Sequence, residues 1–202
     1  MLASVVDHVI ARLTNPGDIV LDPFAGFGTT LARAAALGRQ AAGVELLPER
    51  VQHIRAHTPA ARVVEGDARE LLRLVRPQAV GGDAILAPDT PVDLVLTSPP
   101  YMTVTHHEAD PLTAYERNGG DYDRYLAEMS VVVAQCARLL KRGGYLVCNV
   151  ADIFYEDHMT HLIGDYDEVM RRHLDPAGMT EIVWDSLPHD LVRDALLVYR
   201  RR

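Results

Sequence analysis

Residues 19–30 read I-V-L-D-P-F-A-G-F-G-T-T, and this stretch decides the fold. A short apolar run of strand-forming residues meets Pro23, which has no N–H to give to a central sheet. The strand therefore ends there, and a good helix former, T-T-L-A-R-A-A-A-L-G, starts at Thr29 and stops at Gly38. Between them, Gly26 and Gly28 let the backbone turn tightly and approach a ligand closely. N–H groups at the start of a helix attract an anionic group, such as a carboxylate or phosphate. No G-K-[ST] follows, so the turn is not a phosphate P-loop, and the third glycine of the dinucleotide fingerprint is absent. A glycine pair alone is as readily a plain strand–helix turn, so the context has to decide.

Outward from this stretch, strands and helices alternate. Upstream, Val5, Val6, Val9, Ile10 and Leu13 recur at helical spacing over residues 5–14, and N-P-G-D ends that helix. Downstream, A-A-G-V-E is a strand closing at Glu45, followed by a helix with Pro48 in its first turn. A-R-V-V-E-G-D-A is a third strand with its exit loop, A-R-E-L-L-R-L-V a helix, and residues 77–91 a Pro-, Gly- and Asp-rich loop. V-D-L-V-L-T is the fourth strand, and residues 102–121 read as a long loop. A long helix over 121–140 stops at K-R-G-G, ahead of a fifth strand, Y-L-V-C-N-V. A helix over 164–174 precedes D-P-A-G, and T-E-I-V-W-D-S-L and A-L-L-V-Y-R close the chain as two strands. Such alternation predicts a Rossmann-like α/β fold: a seven-stranded, mostly parallel sheet with an antiparallel terminal hairpin and helices on both faces. With no repeat and no long linker, residues 1–202 read as one domain.

The composition bounds the function. At 48% hydrophobic and 24% charged residues, the 202-residue chain can bury a full core. No apolar run approaches the ~20 residues of a membrane span, and M-L-A-S-V-V-D-H does not resemble a signal peptide. Cys136 and Cys148 sit in apolar surroundings without metal-ligand spacing, which suits reduced structural thiols in a cytoplasmic protein. The net charge of -8 disfavours a stand-alone nucleic-acid binder.

Carboxylates punctuate three successive strand ends. Asp22 closes the first strand, Glu45 follows 23 residues later, and Asp67 leaves the third strand. An acidic residue at the second position can accept both hydroxyls of a ribose, and one at the third a hydrogen bond from an adenine amino group. Taken singly, each is more often a helix cap; together they describe a site for an adenosine carrying a small zwitterion. The fourth strand ends in L-T-S-P-P-Y, residues 96–101, where two prolines hold a short loop rigid and Tyr101 offers an aromatic face.

V-L-D-P-F-A-G-F-G-T-T together with T-S-P-P-Y resembles the class I, S-adenosylmethionine-dependent amino-methyltransferases, which modify exocyclic amines of DNA bases at cytosine N4 or adenine N6. The likeness runs from about residue 5 to about residue 150. It implies S-adenosylmethionine as cofactor, held along Asp22, Pro23, Phe24, Ala25, Gly26, Gly28, Thr29 and Thr30, with Glu45 on the ribose and Asp67 and Ala68 on the adenine. It implies Ser98, Pro99, Pro100 and Tyr101 as the catalytic loop. A side chain at position 98 and the Pro99 carbonyl would accept the hydrogens of a delocalised, weakly nucleophilic amine, and Tyr101 would stack on the base. Serine at position 98 leans toward cytosine N4 within the resembling families. The cofactor block precedes the catalytic loop, unlike the commonest permuted order.

Only about 50 residues follow the fifth strand, which leaves no room for a recognition domain; a partner subunit or second protomer is expected to supply DNA contacts. Two rivals stay open: the same chemistry on tRNA, a protein glutamine or a small planar metabolite, and a non-catalytic subunit that binds cofactor. Among other residues, His106 and His107 near Glu108 and Asp110 suit a solvated or substrate-facing loop better than a metal site. Residues 115–122 read either as a lid hinged at Gly119 and Gly120 or as a plain loop capped by Asp121. Asn149 and Asp152 read as a polar strand exit that could line the site, Trp184 and Tyr199 as core, and Asp157, His158 and His161 as surface.

Overall fold

The computed structural model describes residues 1–76, 85–100, 121–155, 157–187 and 190–202. The helices are α1 (Ala3–Leu13), α2 (Thr29–Ala36), α3 (Pro48–His57), α4 (Leu71–Val75, after a 3-10 turn Ala68–Glu70), α5 (Tyr122–Leu139) and α6 (Leu162–Arg171). The strands are β1 (Ile19–Asp22), β2 (Gln40–Glu45), β3 (Arg62–Glu65), β4 (Val92–Thr97), β5 (Leu140–Tyr155), β6 (His158–Thr160), β7 (Asp175–Glu181) and β8 (Leu191–Arg200). The sheet runs β3-β2-β1-β4-β5-β8-β7, with short β6 paired to β5. β1 to β5 pair in parallel, and β8 runs antiparallel to both β5 and β7. This is the expected α/β architecture, with β6 as an addition to the seven-strand path.

Period-2 alternation along the strands explains the two helical layers. Val20, Leu94, Leu96 and Val147 pack with α1, α2 and α3 residues such as Val6, Ile10, Leu31 and Ile54. Leu21, Val95, Leu146 and Cys148 face the other way, against Leu71, Tyr125, Cys136 and Tyr166. Both faces are covered, so all four residues of β1 are buried. Both cysteines are buried and free, and burial pushes the Cys136 thiol up to about 12.

The last third departs from the sequence reading. D-P-A-G does not break the chain; it lies inside β7, and residues 182–187 fall outside any strand. β7 is an edge strand bonded only to β8 within the described residues, and an edge tolerates Pro176 and a register shift next to Gly178, whose φ is 157°. K-R-G-G does not separate helix from strand either: β5 starts at Leu140 and carries these residues as an irregularity opposite Val92–Leu94. Gly143 at φ 77° takes the bend there, and its N–H donates to Arg201 O at 2.9 Å. The last helix, α6, starts and stops earlier than expected, at Leu162 and Arg171.

Candidate active site

The strand order turns around between β1 and β4, because β2 and β3 lie on one side of β1 and β4 on the other. Crevices at such switch points, outside the carboxyl ends of the strands, are where open α/β sheets bind ligands. A cleft of about 340 Å³ opens there. Of the residues singled out in the sequence, Asp22, Pro23, Phe24, Ala25, Gly26, Thr29, Thr30, Glu45, Asp67, Ala68, Ser98, Pro99 and Pro100 all line it. Gly28 does not: it sits at φ 84° as the residue before α2, where a Cβ would stand 2.7 Å from Ile54 Cγ1. Tyr101 lies outside the described residues, as do His106, His107, Glu108, Asp110 and residues 115–120.

Asp22 ends β1 at 3% exposure. Its Oδ1 accepts the Thr97 hydroxyl at 2.7 Å and the Phe24 N–H at 3.1 Å, which ties the end of β1 to the end of β4. Burial pushes this carboxyl up to about 6, although hydrogen bonds from Thr97, Thr30 and Phe24 act the other way. Glu45, also buried, ends β2 and accepts the Gly26 N–H on Oε2 at 2.7 Å and the Leu47 N–H on Oε1 at 3.0 Å. Glu45 thus anchors the glycine turn as well as facing the cleft, and Arg50 stands 3.9 Å from it.

Asp67 begins the 3-10 turn and is already engaged. Its Oδ1 accepts the Arg69 backbone N–H at 2.8 Å, and its Oδ2 accepts Arg69 Nε and Nη2 at 2.9 and 2.6 Å. Burial alone would raise this carboxyl, but the Arg69 bonds outweigh it and hold it below its ordinary value. Arg69 also pairs with Glu128 of α5. The expected adenine acceptor is therefore one member of an ion-pair network.

Several lining residues carried no signal in the sequence. Phe27, at 66% exposure, stands at the rim with the Arg50 guanidinium 5.1 Å from its ring centre. Behind the S-P-P loop, the Tyr125 hydroxyl donates to Pro100 O at 2.7 Å. Tyr122 and Tyr125, three apart on a helix, were the available clue, since such spacing puts both on one face. Asn149 and Asp152 are not at a strand exit: both lie within β5. Asn149 donates to Asp194 Oδ1 at 2.6 Å, and Asp152 accepts the Ile163 N–H at 2.9 Å, so each has a structural partner away from the cleft. Tyr199 is core, while half-buried Trp184 donates Nε1–H to Asp194 at 2.9 Å. Asp121 caps α5 by accepting the Arg124 N–H at 2.9 Å. His158 lies in β6 and is exposed, as is His161.

Comparison with known proteins adds to this geometry. Residues 3–56 match the profile of a family described as DNA methylase. The chain is 54% identical over 41 residues to the type II methyltransferase M.BamHI of Bacillus amyloliquefaciens, covering 20% of this chain and 10% of that protein. It is 47% identical over 49 residues to the DNA adenine methyltransferase YhdJ of Escherichia coli (strain K12), covering 24% of this chain and 17% of that one. The matches thus span less than a fifth of these relatives' length. Among solved structures, TrmN from Thermus thermophilus superposes with a TM-score of 0.67 at 17% identity, over 100% of this chain and 48% of TrmN. Magnesium protoporphyrin IX methyltransferase (ChlM) from Synechocystis PCC 6803, solved with bound SAM, superposes with a TM-score of 0.59 at 17% identity, over 99% of this chain and 79% of ChlM. Strand order, cleft position and these superpositions agree, and the chain has the class I methyltransferase fold.

Proposed function

We propose that this chain is a methyltransferase that moves a methyl group from S-adenosylmethionine to an exocyclic amino nitrogen of a nucleic-acid base. DNA is preferred over RNA, and cytosine N4 over adenine N6. The observation that carries this reading is the meeting of three features in one cleft: the D-P-F-A-G-F turn, Glu45 and the S-P-P loop. The likeness to DNA methylases over residues 3–56, and the two short matches to DNA methyltransferases, support it.

The residues present fit the cofactor. Two buried carboxylates, Asp22 and Glu45, stand on the wall of a cleft that would receive a cationic sulfonium and ammonium. A carboxylate has about four acceptor sites, and the two backbone donors on Glu45 orient it toward ribose hydroxyls. Asp22, Phe24, Gly26 and Thr29 would hold the methionine portion, and Asp67 with Ala68 the adenine, with Asp67 oriented by Arg69. Bound S-adenosylmethionine supplies an activated methyl group. Ser98 and the Pro99 carbonyl then accept hydrogen bonds from the target amine, which favours a more tetrahedral, more nucleophilic nitrogen. Tyr101 stacks on the base, worth ~1–3 kcal/mol. A base within a duplex has to be flipped out first. The protein's contribution is positioning and exclusion of water.

We place the whole reaction in the one domain, in the cytoplasm, with target contacts supplied by a partner subunit or a second protomer. Among the described residues no helix is long and apolar enough to cross a membrane. The net charge of -8 favours a second reading, the same chemistry on a protein glutamine or a small planar metabolite. Radiolabelled S-adenosylmethionine offered in parallel to duplex DNA, single-stranded DNA, total tRNA and a protein extract separates them. Label in DNA, at cytosine N4 or adenine N6 after nucleoside digestion, is the expected result. Label confined to protein or small molecules would move the assignment to the second reading. Affinity for DNA should also fall steeply with salt.

A further inference from the structure

Beyond Ser98, the S-P-P segment leaves one soft backbone torsion. Proline locks φ at residues 99 and 100 near ~-65°. A residue before proline is pushed to ψ of about +120 to +160°, which restricts both Ser98 and Pro99. What remains is ψ of Pro100, the torsion that directs its carbonyl and the chain beyond it.

That carbonyl is held from outside the loop. Pro100 O accepts a 2.7 Å hydrogen bond from the Tyr125 hydroxyl, 25 residues further along the chain. Tyr125 lies on α5 at 0% exposure, and its hydroxyl meets that of Tyr166 on α6, also at 0% exposure, at 2.5 Å. Since Tyr125 donates to Pro100, the proton between the two hydroxyls comes from Tyr166. One turn earlier on α5, the Tyr122 hydroxyl donates to Asp165 of α6 at 2.6 Å. Two tyrosines thus pin α5 to α6, and one of them reaches through to the loop. Phenylalanine at positions 125 and 166 would fill the core without buried hydroxyls that need partners. The hydroxyls therefore suit a task other than packing.

We infer that Tyr125 is a positioning residue: it fixes the remaining torsion of the S-P-P loop and so holds the loop in one conformation over the cleft, with Tyr166 holding Tyr125. This rests on the reading of S-P-P as the loop that receives the methyl acceptor.

The test is Tyr125→Phe, with Tyr166→Phe as a second break in the same chain and Tyr199→Phe as a control. Tyr199 also loses a buried-side hydroxyl bond, to Asp167, but lies away from the cleft. Steady-state methyl transfer to DNA and calorimetric binding of S-adenosylmethionine are measured for each. In Tyr125→Phe, kcat is expected to fall about tenfold or more while cofactor affinity stays within about twofold. Tyr166→Phe should show a smaller loss of the same kind. Tyr199→Phe should melt earlier than wild type and keep its kcat. In parallel, the ¹³C resonance of the Pro100 carbonyl is followed in labelled protein without substrate, where it should shift in Tyr125→Phe and not in Tyr199→Phe. An unchanged kcat in Tyr125→Phe overturns the inference, as does a kcat loss of equal size in the Tyr199→Phe control. If Tyr125→Phe does not fold, Tyr166→Phe decides by the same criteria. Wild-type protein inactive on every nucleic acid would sink the functional reading instead, and the Pro100 resonance would then decide the inference alone.

Discussion

Replacing Asp22 with asparagine probes the group that stands where β1 and β4 end. The Asp22 carboxyl is buried, and burial pushes it from 3.8 up to about 6. Below about pH 3 the group is neutral in both the folded and the unfolded chain and has no effect on stability. As pH rises through 3.8 the unfolded chain ionises first, so the fold loses stability until the folded carboxyl has also ionised, above about 6. The gap of about 2 pH units, at ~1.4 kcal/mol each, is worth about 3 kcal/mol. Asparagine does not titrate, so the variant lacks this loss. Its amide has hydrogen-bonding needs of its own, but they add an offset that does not vary with pH. Urea unfolding followed by the single tryptophan, Trp184, should therefore show the variant gaining about 3 kcal/mol on wild type between about pH 3 and pH 7.5. Two stability curves that stay parallel across that range would refute the argument. A group kept ionised at neutral pH against such a cost is a candidate for function. With Asp22 in its proposed role against the cofactor's ammonium, the same titration predicts that affinity for S-adenosylmethionine weakens as pH falls below about 6.

Three further outcomes are expected. Gly28→Ala should lose ~2–4 kcal/mol in urea unfolding, from the left-handed conformation and the 2.7 Å approach to Ile54, whereas Gly26→Ala, with nothing within 4 Å, should lose only the ~1–2 kcal/mol conformational part. Equal losses would remove Ile54 from the account. Glu45→Ala should weaken S-adenosylmethionine by ~1–3 kcal/mol in titration calorimetry, and unchanged affinity would take Glu45 out of the site. Cys136 and Cys148, both buried with raised thiols, should resist a thiol reagent at neutral pH until the protein unfolds; fast labelling of native protein would contradict that burial.

The amino-acid sequence by itself determined the alternation of elements and the identity of most cleft residues. Both are local: hydrophobic period, turn glycines and strand-ending prolines act over a few residues. The I-V-L-D-P-F-A-G-F-G-T-T stretch names a strand, a turn and a helix without help from the rest of the chain. The first closing strand was misplaced because D-P-A-G carries turn chemistry, and only an edge position makes such residues tolerable in a strand, whereas A-L-L-V-Y-R falls within β8. Tertiary structure decided what meets what. Asp22 and Thr97 are 75 residues apart, and they touch because β4 pairs with β1 on the side away from β2. Arg69 meets Glu128, and Tyr125 reaches Pro100, through packing of α5 that no local pattern specifies. Strand order and helix docking are settled by long-range burial summed over the whole core. For that reason the cleft's residues were legible one by one, and their arrangement was not.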